Sequence, residues 1–223
     1  MASLCGMGLK KIITLCFIVF GVCGFSFADW SQVDPSQFSV EPPPEEGTDW
    51  YRMDFVQLHR AQNERTEADC RLAWKQLFPS FPAFYEVSQS PLDDAEAIAT
   101  KEVLDKVIKS TIRVSSHFKG IFQRPRPYDV DETIKPCIKK PGGSTSYPSS
   151  HAAVASATAC LLAQRFPQKS RTIEKYGSYL AKLRVLVGVH HPSDVSAGEA
   201  LGKSVCEHLL SDPTFLKVWN PSR

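Results

Sequence analysis

Arg184, His190 and Asp194 stand six and four residues apart in the stretch Arg184-Val-Leu-Val-Gly-Val-His190-His191-Pro192-Ser193-Asp194. A guanidinium, an imidazole and a carboxylate so spaced can bind an oxyanion, attack it and orient the attacker. Pro192 cannot sit inside a helix and disfavours helical geometry at His191, so the helix carrying Arg184 should end near His190, with Asp194 in the first turn of the next. A carboxylate there can hold one imidazole nitrogen and leave the other free, which fixes the tautomer and raises the ring's nucleophilicity. Taken alone, the stretch reads equally well as an interhelical turn whose histidine caps a helix end.

Two further segments carry matching chemistry. In Tyr147-Pro148-Ser149-Ser150-His151, hydroxyl residues precede an alanine-rich helical run, so backbone N–H groups and hydroxyls converge where the helix dipole is positive, an anion site. In Lys119-Gly-Ile-Phe-Gln-Arg124-Pro125-Arg126-Pro127, three cations and two prolines make a stiff, locally basic loop. By itself that loop would be a solvated basic turn.

Together the three segments, in order and spacing, resemble the phosphatase signature of the type 2 phosphatidic acid phosphatase (PAP2) superfamily, which includes bacterial class A acid phosphatases and vanadium haloperoxidases. Lys119 with Arg126-Pro127 matches the first block, Pro148-Ser149-Ser150-His151 the second, and Arg184, His190 and Asp194 the third. The resemblance implies phosphate monoester hydrolysis without a metal or other cofactor. In it, His190 attacks phosphorus, Asp194 orients that ring, and His151 protonates the leaving oxygen and then activates water. Lys119, Arg126, Arg184, Ser149 and Ser150 would cradle the phosphate. His191 could serve as nucleophile on chemistry alone, and only the family pattern selects His190. The rival functions are a vanadium-dependent haloperoxidase and a catalytically weak phosphate-binding relative.

Two positions depart from the pattern: Ser150 stands where the second block usually has Gly, and Leu183 where the third usually has Ser. If the Gly position needs a positive φ or close backbone approach to phosphate, Ser150 costs about a kcal/mol or tilts the cradle.

The elements that must position these groups read as helices. No segment shows sustained alternation or hairpin turns, so the class is all-α, and the resemblance makes it one compact helical bundle of the acid phosphatase and haloperoxidase type. Apolar positions recur at helical spacing from Asp49 to about Phe78 with a break near Asp69, and Pro79 and Pro82 end that pattern. Ser90-Pro91 opens a helix that delivers Lys119 near its C-terminal end. Residues 120–147 form a long loop. Helices follow at 149–166, 170–189 and 193–210, and Asp212-Pro213 caps a short closing helix. The alanine-rich helix 149–166 should be central. His59 and His117 fall outside the blocks and read as structural or exposed, and His208 has an ordinary role near a helix C-terminus.

Residues 1–28 carry Lys10-Lys11, the apolar run from Ile12 to Phe27 and Ser26-Phe27-Ala28, the pattern of a cleaved signal peptide, and Asp29 to Thr48 an extended proline-rich arm. The mature chain would then be periplasmic or secreted, with no later stretch apolar enough for stable membrane insertion. The leader's two lysines account for the whole formal charge of +2, so residues 29–223 are neutral and have no bulk attraction for nucleic acid. Partners would be small phosphate monoesters, with room for a homo-oligomer. Cys70, Cys137, Cys160 and Cys206 remain, enough for two disulfides in three pairings, or for a free core thiol at Cys160.

Overall fold

A computed structural model of the chain describes residues 29–76, 80, 84 and 94–220; the leader, Pro79, Pro82 and the Ser90-Pro91 cap lie outside the described residues. Helices are α1 (Asp49–Glu64), α2 (Glu67–Lys75), α3 (Asp94–Phe122), α4 (Pro127–Val130), α5 (Ser150–Arg165), α6 (Ser170–Leu186), α7 (Pro192–Ser211) and α8 (Pro213–Trp219). Among the described residues there is no strand, only an isolated antiparallel bridge between Pro125 and Thr145.

The helix borders follow side-chain chemistry. Thr48 accepts the Tyr51 N–H to start α1, and Thr66 and Asp69 form a reciprocal capping box that starts α2. The break therefore falls at Arg65-Thr66, four residues before Asp69, because Asp69 serves as the third helical residue of its own cap. Asp212 accepts the Thr214 N–H ahead of Pro213. Helix α6 stops at Leu186, earlier than the apolar period suggests, because the chain turns through Gly188 at φ 77° to bring His190 inward. Short α4 interrupts the expected long loop.

Helix α5 is buried on nearly every side, as its apolar circumference requires, and packs against α3, α6 and α7. Its alanines allow close approach. A Cβ added at Gly202 of α7 would lie 2.1 Å from the Ala153 carbonyl oxygen, and one at Gly198 2.4 Å from that of Ser149. Cys160–Cys206 staples α5 to α7, and Cys70–Cys137 ties α2 to the segment after α4. Cys160 is thus bonded, not a free thiol. Leu104, Val107, Val114 and Phe118 of α3 are buried, whereas Ile98 near its start is 60% exposed. At 29 residues, α3 is roughly 43 Å long, more than one core can cover.

The arm's 29–48 segment includes a single helical turn, Pro35–Gln37. Its Trp30 meets Phe215 edge to face at 5.2 Å, and the Glu41 carbonyl accepts the Tyr147 hydroxyl at 2.6 Å. No described helix is long and apolar enough to cross a membrane.

Candidate functional site

The three charged blocks arrive from three directions. Lys119 is in the last turn of α3, Ser150 and His151 open α5, and Arg184 leaves the end of α6 just before the turn to His190. All five line one cavity of about 450 Å³ together with Arg126, Trp74 and the rim residues Lys139 and Lys140.

The bridge at Pro125 and Thr145 holds the first block against the approach to the second. Ser146 N–H donates to the Arg124 carbonyl at 2.8 Å, and Lys119 Nζ donates to the Ser146 carbonyl at 2.7 Å. Burial, then the nearby Arg126 guanidinium, push the Lys119 ammonium down to about 7, against the opposing pull of Asp194. Burial likewise lowers Arg184 to about 10. Arg126 and Arg184 are 4% and 3% exposed, and the Nε of each is buried without a hydrogen-bond partner among the described residues. Two buried guanidiniums with donors to spare, beside a half-buried ammonium, fit a multiply charged oxyanion.

Behind His190 the geometry assigns a tautomer. Arg126 Nη1 lies 3.0 Å from His190 Nε2, and a guanidinium can only donate, so Nε2 carries the lone pair. The proton then sits on Nδ1, 3.2 Å from Asp194 Oδ2. Burial, and secondarily Arg126 and Lys119, push the ring down to about 3, even though Asp194 opposes them. The imidazole is therefore neutral across the ordinary pH range. Asp194 is itself fully buried, which would raise it, but hydrogen bonds from His190 and His191 outweigh that and hold it well below the usual carboxylate range.

His191 contacts the same Asp194 oxygen, by Nδ1 at 3.2 Å and by its backbone N–H at 2.9 Å. It caps α7, packs edge to face on Phe55 and does not line the cavity. The two adjacent imidazoles thus occupy different places, and only His190 faces the cations. His151 is held well below its ordinary value by burial, then by Arg184 and His190, with a hydrogen bond to the Gln76 carbonyl acting the other way.

The remaining residues singled out in the sequence take several places. Ser149 is fully buried and outside the cavity lining; its oxygen accepts the Ala152 N–H at 3.3 Å, and its own N–H donates to the Asp194 carbonyl at 2.9 Å. Ser150 adopts helical backbone geometry, with no positive φ, and its hydroxyl lies 2.7 Å from that of Ser115. The departure from Gly thus costs no strain here. Leu183 is fully buried in the core. His59 pairs with Asp131 at 3.0 Å, and His208 packs on Phe38, both away from the cavity.

Two residues join the site that sequence reasoning did not place there. Arg124 was legible only as a loop cation, yet its Nη1 donates to Asp194 Oδ1 at 2.8 Å. Asp54 of α1, also buried, accepts from Arg124 Nη2 at 2.7 Å. A signal existed: Asp54 is four residues before the buried Leu58, a charge on the helical stripe that faces the core.

The chain is similar to several known proteins. A non-specific acid phosphatase of Providencia stuartii is 28% identical over 195 residues, covering 84% of this chain and 79% of the relative. One from Salmonella typhi is 25% identical, covering 82% and 76%, and an acid phosphatase of Zymomonas mobilis is 27% identical over 56% of this chain and 48% of its own. A bacterial vanadium-dependent iodoperoxidase shares the fold with a TM-score of 0.64 at 17% identity, covering 80% of this chain and 54% of that one. The PAP2 superfamily model matches residues 98–213. Since that match takes in more than half of the sequence and includes every one of the three blocks, the chain belongs to the PAP2 superfamily.

Proposed function

We propose that this protein is an exported acid phosphatase that hydrolyses small phosphate monoesters through a phosphohistidine on His190, without a metal. The observation that carries the reading is the neutral His190, with Nε2 unprotonated in a cavity shared with two buried guanidiniums and the half-buried Lys119 ammonium, and Nδ1–H held by Asp194. Lys119, Arg126 and Arg184 neutralise the nonbridging oxygens, the main requirement of phosphoryl transfer. Nε2 attacks phosphorus as the ester P–O bond breaks, and the leaving oxygen takes from His151 the proton that the bound monoanion has handed to that ring. His151 then removes a proton from water, which attacks phosphorus, breaks the P–N bond and regenerates His190.

The same electrostatics account for an acid optimum. Both active imidazoles are held low in the free site, so the leaving-group proton enters most easily on a phosphate monoanion, which predominates below a pH of about 6. Two disulfides suit an oxidising compartment, and with the apolar leader they support export.

The test is p-nitrophenyl phosphate turnover with acid-quench trapping of radiolabelled enzyme. Wild type should retain activity in chelator, be inhibited by vanadate and yield an acid-labile phosphoenzyme. His190→Ala should yield none and lose at least about a thousandfold in kcat, the scale on which removal of a nucleophile is felt. Near-normal activity in His190→Ala, or a divalent metal requirement that survives chelator controls, refutes the reading.

A further inference from the structure

Asp54 lies outside the residues that match the superfamily model and does not line the catalytic cavity, yet its carboxylate is 4% exposed and fully engaged. Its Oδ1 accepts the Ser193 N–H at 2.9 Å, and its Oδ2 accepts both the Ser193 hydroxyl and, at 2.7 Å, Arg124 Nη2. Arg124 Nη1 in turn donates to Ser193 Oγ at 2.7 Å and to Asp194 Oδ1 at 2.8 Å. A buried chain of carboxylate, guanidinium and carboxylate therefore runs from α1 to the ring of His190.

Charge counting shows what the far carboxylate contributes. When Nε2 bonds to phosphorus, Nδ1 keeps its proton and the ring becomes a cation. Asp194 paired with Arg124 alone would be a neutral couple and would stabilise that cation weakly. Asp54 returns the cluster to one net negative charge, in a site dry enough for the charge to be felt. It also pins Ser193, the second residue of α7, and so fixes the carboxylate of Asp194 one residue later.

We propose that Asp54 is a positioning residue for the phosphoryl transfer: through Arg124 and Ser193 it sets the place of Asp194 and supplies the negative charge that stabilises the phosphorylated His190 ring. The inference rests on the phosphohistidine reading above.

The experiment is rapid-quench measurement of phosphoenzyme formation in wild type, Asp54→Asn, Asp54→Ala and Asp54→Glu, with KM and Tm for each. Burst amplitude counts competent sites, so the rate is read per site whatever the folded yield. Asn keeps the size and one acceptor but drops the charge, Ala drops both, and Glu keeps the charge. Phosphorylation about tenfold slower in Asn, slower again in Ala and partly restored in Glu, with KM within about twofold, is the expected result. If Ala fails to fold, the Asn and Glu pair decides. Wild-type rates per site in Asn, with only Tm lowered, overturn the inference and leave Asp54 as a clamp between α1 and α7. No phosphoenzyme in wild type would instead overturn the underlying reading, and this inference with it.

Discussion

Lys119→Arg should change the shape of the pH profile more than its height. Burial, then Arg126, bring the Lys119 ammonium down to about 7 in the free site. The charge is thus present below that pH and lost as pH rises through it. Because kcat/KM reports the free enzyme and free substrate, the wild type should lose one factor of about ten per pH unit above a pH of about 6 as the substrate gives up its second proton. It should lose a second such factor above about 7 as Lys119 gives up its own. Arginine stays charged throughout, so the variant should keep only the first decline. The substrate's titration is common to both enzymes and cancels in their ratio. That ratio, Lys119→Arg over wild type, should be nearly flat from pH 5 to 6.5, bend near 7 and then rise roughly tenfold per unit to about a hundredfold at pH 9. The assay is initial-rate phenyl phosphate hydrolysis at substrate well below KM, in buffers of constant ionic strength. A ratio flat from pH 5 to 9 would refute the reasoning, since the ammonium would then carry no titration in this range.

Two further substitutions test the scaffold. Ser150→Gly should leave kcat/KM within about threefold and cost roughly 0.5–1 kcal/mol of stability, because Ser150 is already helical and its hydroxyl meets Ser115; a tenfold gain in kcat/KM would show instead that the hydroxyl tilts the phosphate cradle. Gly198→Ala places a methyl 2.4 Å from the Ser149 carbonyl oxygen, which forces α7 and α5 apart. A loss of roughly 1–3 kcal/mol, some 2–12 °C in Tm for a domain of this size, should appear by calorimetry with a fall in kcat, and an unchanged Tm would contradict the packing.

Much of this arrangement was readable from local chemistry. Pro192 announces a helix start with Asp194 in its first turn, a carboxylate placed to hold an imidazole, but local chemistry leaves His190 and His191 both open and only the family pattern selects His190. The cavity's three cations were identifiable because the three blocks together match a family pattern; read alone, the first block is a solvated basic turn. What local reading cannot reach is contact across some seventy residues. Arg124 meets Asp54 and Asp194 only after α1 and α7 dock, and no period in either helix encodes which carboxylate its neighbour will take. Ser149 shows the opposite limit. A serine before a helix predicts a hydroxyl near an anion, but the same atom is equally suited to capping, and here it takes the Ala152 N–H. The break before α2 was mislaid by four residues because the aspartate of a capping box lies inside the helix that it helps to begin.

If His190 is the nucleophile, as proposed, the contact between Arg126 and His190 Nε2 means that the resting molecule keeps the attacking nitrogen sheathed. An uncharged electrophile would have to unsheathe it while giving the guanidinium nothing in exchange. A phosphoryl group brings the oxygens that draw Arg126 aside in the same movement that exposes the lone pair. Discrimination would then begin at one atom pair, before the shape of any leaving group is consulted.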